Sequence, residues 1–211
     1  MSHLILLGDS IFDNAAYTEG GPDVVTQLND VLLAGWAASL LAIDGSITGD
    51  IAGQVGCLPS DASHLVLSVG GNDALQQAHL LFTPATSTEE AIGLLADLAE
   101  QFERDYRAAV QASLRPGLPL TVCTIYNGNF PDPGYQRLVK TALALFNDAI
   151  LRTAIAKRLP VIDLRAICTY PEDYANAIEP SSVGGAKIAL AIAMLALEAI
   201  PSSEITRIIA R

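Results

Sequence analysis

Three short polar motifs each follow an apolar run, and each brings a group that acyl-transfer chemistry uses. They are Gly8-Asp9-Ser10, Thr48-Gly49-Asp50 and Gly71-Asn72-Asp73. The first offers a hydroxyl nucleophile, the second a glycine N–H that no Cβ obstructs, and the third a side-chain amide, and the last two can both donate to an oxyanion. Each motif alone is also compatible with ordinary turn chemistry at a strand end. Their chemical meaning therefore depends on whether the fold brings them together.

The elements that must position these motifs alternate between apolar strands and helices. We predict strands over residues 4–7, 36–43, 64–69, 120–125 and 161–164, and helices over 23–33, 87–114, 136–157 and 185–199. This alternation favours parallel strand pairing through right-handed crossovers. The sequence therefore predicts an α/β fold, a three-layer α/β/α sandwich with a five-stranded parallel sheet. The carboxyl ends of parallel strands meet at one edge, so the three motifs should gather there.

Two of the predicted helices carry recognisable start signals. Asp23 can cap the first helix, and Ser87-Thr88-Glu89-Glu90 has the spacing of a capping box ahead of the long second helix. No internal repeat or shift in composition marks a boundary along the 211 residues. We therefore expect one domain over residues 1–211.

The order and spacing of the motifs resemble those of the SGNH (GDSL-type) hydrolases. This family contains serine esterases, lipases and acylhydrolases with a flavodoxin-like fold. Residues 6–10 resemble its first block, residues 46–50 the second and residues 69–73 the third. The third block is the most specific of these, and the resemblance covers most of the chain.

The resemblance also implies roles for individual residues. Ser10 is the implied nucleophile, and the Ser10 N–H, the Gly49 N–H and the Asn72 side chain are the implied oxyanion donors. It implies a hydrolase that cleaves a small ester or acyl group through an acyl-Ser10 intermediate, without a cofactor or a metal. The expected partner is thus a small-molecule ester or acyl substrate.

The last block departs from the family pattern, which reads Asp-x-x-His-Pro with the histidine as general base. Aligned on Pro180, the chain has Glu179 in place of the histidine and Asn176 in place of the aspartate. A register shifted by three residues makes Glu179 the acid and Ser182 the replaced histidine. A carboxylate with an ordinary pKa of about 4.3 accepts a serine proton poorly, but burial would raise that pKa.

Two interpretations of Glu179 therefore stay open. In the first, Glu179 is the base that activates Ser10. In the second, Glu179 only hydrogen-bonds loop backbone, and the protein is a catalytically impaired member of the fold that binds an acyl or carboxylate ligand. Nucleotide binding is disfavoured because the chain has neither a Gly-x-Gly-x-x-Gly motif nor a Walker loop.

The three histidines offer no evident replacement for the missing base. His3 and His64 lie near the starts of their predicted strands, roughly 20 Å from the Ser10 edge at about 3.3 Å per residue. His79 follows Asn72 by seven residues and should lie on a segment that leads away from the site.

Four further residues lie just past predicted strand ends and could line a substrate pocket. They are Asp13, Asn14, Tyr126 and Asn127. Ordinary loop capping explains them equally well.

The amino-acid composition limits the classes of partner that the protein can bind. The net charge of −11 argues against binding nucleic acid or an anionic membrane, since both need clustered Lys and Arg. The longest apolar run, residues 188–197, is shorter than the stretch of about 20 residues that spans a bilayer.

The three cysteines do not have the spacing of metal ligands. The first strand begins almost at once, without the pattern of a signal peptide, so we expect a cytoplasmic location.

Overall fold

The computed structural model describes residues 2–197 and 206–210, and in it strands and helices alternate much as the sequence predicts. The strands are β1 (Ser2–Gly8), β2 (Trp36–Leu40), β3 (His64–Ser68), β4 (Leu120–Cys123), β5 (Val161–Ile162) and β6 (Ile208–Ile209). The helices are α1 (Val24–Val31), α2 (Ile51–Val55), α3 (Gly71–Gln76), α4 (Thr88–Leu114), α5 (Pro133–Lys157), α6 (Leu164–Ile167) and α7 (Ser182–Leu197). Short 3-10 segments lie between several of them.

All the strand pairs are parallel, and the sheet order is β2-β1-β3-β4-β5-β6. The predicted α/β sandwich is confirmed, but the predicted count of five strands is wrong, because the sheet formed by the described residues has six. The sixth is the two-residue strand Ile208–Ile209, which pairs with Val161–Ile162. Two residues are too few to show a periodicity, so sequence patterns could not reveal this strand.

The ends of several elements differ from the prediction. β2 ends at Leu40 rather than at residue 43, although Leu41 and Ala42 still donate backbone hydrogen bonds to the carbonyl of Leu6. Asp23 caps α1 as predicted, by accepting a hydrogen bond from the Thr26 N–H. α7 begins at Ser182, three residues before the predicted start, and its predicted end at residue 199 lies outside the described residues.

Alternate side chains of β1 enter two different halves of the core. Leu4 and Leu6 pack with residues of α1 and α7, whereas Ile5 and Leu7 pack with residues of α4 and α5. A strand that is apolar on both faces is what a parallel sheet between two helical layers requires. Within the described residues, no helix combines the length and hydropathy needed to cross a membrane.

Candidate active site

The first polar motif leaves β1 through a turn that only glycine fits. Gly8 has a φ of +133°, and a Cβ there would lie 1.8 Å from the carbonyl oxygen of Ser68 on the neighbouring strand. The buried Gln54 side chain accepts a hydrogen bond from the Gly8 N–H at 2.8 Å and donates one to the Gly8 carbonyl at 2.8 Å. The position of the following Ser10 is thus fixed by backbone pairing on one side and by Gln54 on the other.

The second and third motifs are tied to each other by side-chain hydrogen bonds. The Asn72 amide donates to the Ser46 carbonyl at 2.9 Å. The Asp73 carboxylate accepts from the Thr48 hydroxyl at 2.6 Å and from the Thr48 N–H at 3.1 Å. One amide hydrogen of Asn72 is thereby used to orient the side chain, and the other remains to serve a ligand.

Glu179 lies on a loop whose backbone is held on several sides. The Asn176 side chain accepts hydrogen bonds from the N–H groups of Ile178 and Glu179, both at 2.9 Å. The Tyr126 hydroxyl donates to the Ile178 carbonyl at 2.5 Å, and the Ala175 N–H donates to the Glu179 carbonyl at 2.9 Å. Asn176 therefore shapes the loop through its backbone and does not orient the Glu179 carboxylate as a triad aspartate orients its histidine.

Ser10 and Glu179 meet in the same pocket. Each residue is buried, with 6% of its surface exposed, and the Ser10 side chain lies close enough to the Glu179 carboxyl group to affect its pKa. Burial raises the pKa of Glu179 above its usual value, the neighbouring Ser10 side chain opposes that shift, and the nearby Asp44 charge adds to it. Oε2 of Glu179 has no hydrogen-bond partner within the described part of the chain. A carboxylate this poorly solvated binds a proton more strongly than an exposed one.

Asp9 is a second carboxyl group in the pocket, and sequence reasoning gave it no function. Its side chain is buried, and Oδ1 accepts a hydrogen bond from the Ile11 N–H at 3.1 Å. Burial raises the pKa of Asp9 to about 8, the Ile11 N–H opposes that shift, and the charges of Glu179 and Asp73 add to it. At neutral pH Asp9 is therefore mostly protonated and adds no negative charge beside Glu179.

The predicted oxyanion donor Gly49 lies outside the pocket that contains Ser10 and Asn72. It is exposed, in a 3-10 turn over Thr48–Asp50, and it borders an adjacent cleft together with Asp73. Thr48 connects the two sides, because its hydrogen bonds to Asp73 join this turn to the loop that carries Asn72. The role of Gly49 as a donor stays a prediction.

The four predicted pocket residues divide into two pairs. The Tyr126 ring and Asn127 line the pocket beside Ser10. Asn14 is fully buried and holds the Val24 N–H and the Pro180 carbonyl, while Asp13 accepts a hydrogen bond from the Asp44 N–H. Asn14 does not reach the pocket and instead ties the loop after β1 to α1 and to the Glu179 loop, so capping is the better description of this residue.

The histidines take no part in the site. His3 contacts Asp61 and Ser39, and His64 contacts Ser63 and packs against the Trp36 ring. His79 is exposed, and its ring contacts the carbonyl of Gln76. No three His, Cys, Asp or Glu side chains lie close enough to hold a metal ion among residues 2–197 and 206–210.

The pocket that contains Ser10 and Glu179 has a mainly apolar lining and is partly open to solvent. Its walls come from α3, the 3-10 segment Ala78–Phe82, α4 and α5. Its apolar lining residues include Leu75, Leu80, Leu81, Leu95, Leu98, Val139, Ala142, Leu143 and Phe146. No sequence pattern indicates this pocket wall, because the same residues also fit ordinary amphipathic helices.

Known proteins resemble the chain in both sequence and structure. The model of the GDSL-like lipase/acylhydrolase family matches residues 6–184. The lipase Lip_vut3 from a goat rumen metagenome has a TM-score of 0.69 at 18% identity, with 96% of this chain and 100% of that chain covered. Phospholipase A1 from Streptomyces albidoflavus has a TM-score of 0.62 at 19% identity, covering 90% and 98%.

A third similar structure is the acetyl xylan esterase AlAXEase, with a TM-score of 0.65 at 19% identity and coverage of 93% and 99%. No curated protein sequence matches the chain. At these identities the structural matches show the shared fold.

Proposed function

The chain belongs to the GDSL-like lipase/acylhydrolase family, and from this we propose that it is an ester hydrolase with Ser10 as nucleophile and Glu179 as general base. The observation that carries the proposal is that Ser10 and Glu179 are both buried in one pocket, with the Ser10 side chain close enough to the Glu179 carboxyl group to affect its pKa. Covalent catalysis requires a nucleophile close to its base.

In the first half-reaction, Ser10 Oγ attacks the ester carbonyl carbon as its proton passes to Glu179. The negative charge that develops on the carbonyl oxygen is stabilised by the Asn72 amide and the Ser10 N–H, and the Gly49 N–H of the adjacent cleft remains the predicted third donor. The tetrahedral intermediate then collapses, and protonated Glu179 returns the proton to the departing alcohol. The products of this step are the free alcohol and an acyl-Ser10 ester.

In the second half-reaction, water attacks the acyl-Ser10 carbonyl, and Glu179 accepts a proton from the water. Collapse of this intermediate breaks the bond to Ser10 Oγ, which recovers the proton from Glu179 as the carboxylic acid leaves. The burial of Glu179 supports this role, because its raised pKa brings it closer to that of an effective base near neutral pH. Protonated Asp9 supports it too, since an ionised Asp9 would add to the effect of Asp44 and raise the pKa of Glu179 further, so that Glu179 would keep its proton at neutral pH.

The alternative is a binding protein that keeps the pocket without turnover. One observation favours it: Asn176 bonds only to loop N–H groups, so Glu179 lacks the orienting partner that a triad base has. This alternative predicts ligand binding without acylation of Ser10.

Reaction with a fluorophosphonate, followed by intact-mass and peptide mass spectrometry, separates the two functions. The proposal predicts one adduct, on Ser10, and none in Ser10→Ala. A suitable control is Ser87→Ala, which removes an exposed serine at the start of α4 and should leave labelling unchanged. If the parent protein stays unlabelled while folded, as judged by circular dichroism, the hydrolase proposal is refuted.

A further inference from the structure

We infer that the pocket takes the acid part of the ester as an unbranched aliphatic chain, octanoyl to dodecanoyl, an inference that rests on the proposed function. The sequence by itself predicted a small acyl group. The pocket that contains Ser10 is instead lined by apolar side chains from α3, the 3-10 segment Ala78–Phe82, α4 and α5, many more than an acetyl group could contact.

The cavity exists because the first halves of two helices do not pack into the core. In α4 the first buried residue is Phe102, although the helix begins at Thr88. In α5 the first buried residue is Leu143, although the helix begins at Pro133. The apolar side chains of these two first halves are therefore only partly covered by protein.

The lining of the pocket is mostly apolar, and its polar groups include those that would act on the ester bond. These groups belong to Asp9, Ser10, Asn72 and Glu179. No lysine or arginine belongs to the lining formed by the described residues. A charged or phosphorylated tail would thus lose its hydration in this pocket without gaining a partner, whereas an alkyl chain loses nothing.

The dimensions of one wall favour a long chain. Residues of α5 line the pocket from Tyr135 to Phe146, and at 1.5 Å per residue this wall is roughly 16 Å long. An extended octanoyl chain is shorter than this wall. An acetyl group would leave almost the whole wall in contact with water.

Burial of each methylene should be visible in the kinetics. A buried CH₂ contributes a free energy that corresponds to about a fourfold gain in kcat/KM when it is realised in the transition state. From acetate to octanoate, partial burial of the added methylenes still predicts a gain of at least about 100-fold.

The test compares methyl esters of acetic, butyric, octanoic and dodecanoic acid, with hydrolysis followed by acid release. Because the alcohol is always methanol, any preference reports on the acid part. Ala142→Phe fills the pocket from α5, and Ala144→Phe is its matched control on the exposed side of the same helix. We expect Ala142→Phe to lower the octanoate-to-acetate ratio of kcat/KM at least about tenfold, and Ala144→Phe to leave the ratio unchanged.

Binding to Ser10→Ala separates this inference from the proposed function. The probe is octanamide, which is neutral and cannot be repelled by Glu179, compared with acetamide by isothermal titration calorimetry. We expect octanamide to bind and acetamide not to bind. If octanamide binds while the parent hydrolyses no ester, the pocket assignment stands and the hydrolase proposal fails.

The reverse result is equally informative. Hydrolysis by the parent with no preference for octanoate, together with no binding of octanamide, refutes the aliphatic pocket and keeps the hydrolase. Should Ala142→Phe fail to fold, Ala78→Phe fills the cavity from the opposite wall and takes its place.

Discussion

Replacing Asp9 by asparagine should change how the stability of the protein depends on pH. In the folded protein the pKa of Asp9 is raised from 3.8 to about 8, chiefly by burial. Below about pH 4 both the folded and the unfolded chain hold this proton. Between about pH 4 and pH 8 the unfolded chain releases it while the folded chain keeps it, so the free energy of unfolding falls as pH rises.

The size of this effect follows from the difference between the two pKa values. Each pH unit in the interval corresponds to about 1.4 kcal/mol, so Asp9 lowers the stability by roughly 5 kcal/mol between pH 4 and pH 8. Asparagine keeps an oxygen for the Ile11 N–H but has no proton to lose. The Asp9→Asn variant should therefore lack this fall, and its stability relative to the parent should increase with pH.

Urea unfolding followed by circular dichroism at pH 5, 6, 7 and 8 measures the effect. Other titrating groups, including Glu179 and His64, are present in both proteins and largely cancel in the comparison. Asp97→Asn removes an exposed carboxylate on α4 and serves as the control. If parent and Asp9→Asn show the same dependence of stability on pH, the buried, protonated state of Asp9 is refuted.

Three further substitutions test the scaffold and the role of the histidines. Gln54→Leu leaves the buried Gly8 N–H and carbonyl without their side-chain partner. It should lower the free energy of unfolding in urea by roughly 2 to 5 kcal/mol, and a decrease below about 0.5 kcal/mol would contradict the bracing role. Gly8→Ala places a Cβ against the Ser68 carbonyl and should cost at least about 3 kcal/mol or prevent folding, which normal stability would contradict. His79→Ala should leave kcat/KM within about twofold of the parent, and a loss of about 100-fold would make His79 a catalytic base.

The sequence predicts the framework of the site well because strong local signals define it. The apolar runs specify β1, β3 and β4, and the polar residues that follow them must meet at one sheet edge when the strands are parallel. The family resemblance is confirmed by the match over residues 6–184. The polar motifs could thus be assigned to one region before any coordinates were known.

Other features depend on long-range contacts that no local pattern records. Asn14 resembles a pocket residue in the sequence, but it is buried by contacts with Val24 and with Pro180, which is 166 positions away. The raised pKa of Asp9 likewise depends on its burial and on the charges of Glu179 and Asp73, which are distant in the sequence. The apolar cavity arises because α4 and α5 separate from the core, and a helical pattern of apolar residues cannot tell a cavity from a packed core.

The central claim is that Glu179 removes the proton from Ser10, and the pH dependence of acylation tests it most directly. The measurement is kcat/KM for methyl octanoate from pH 4 to pH 8, in the parent and in Glu179→Gln, with Glu172→Gln as an exposed control from the same loop region. The parent should gain activity as Glu179 loses its proton, with an apparent pKa above the usual 4.5. Glu179→Gln should lose about 100- to 10,000-fold and show no such rise. Activity of Glu179→Gln close to that of the parent, with the same pH profile, would contradict the claim.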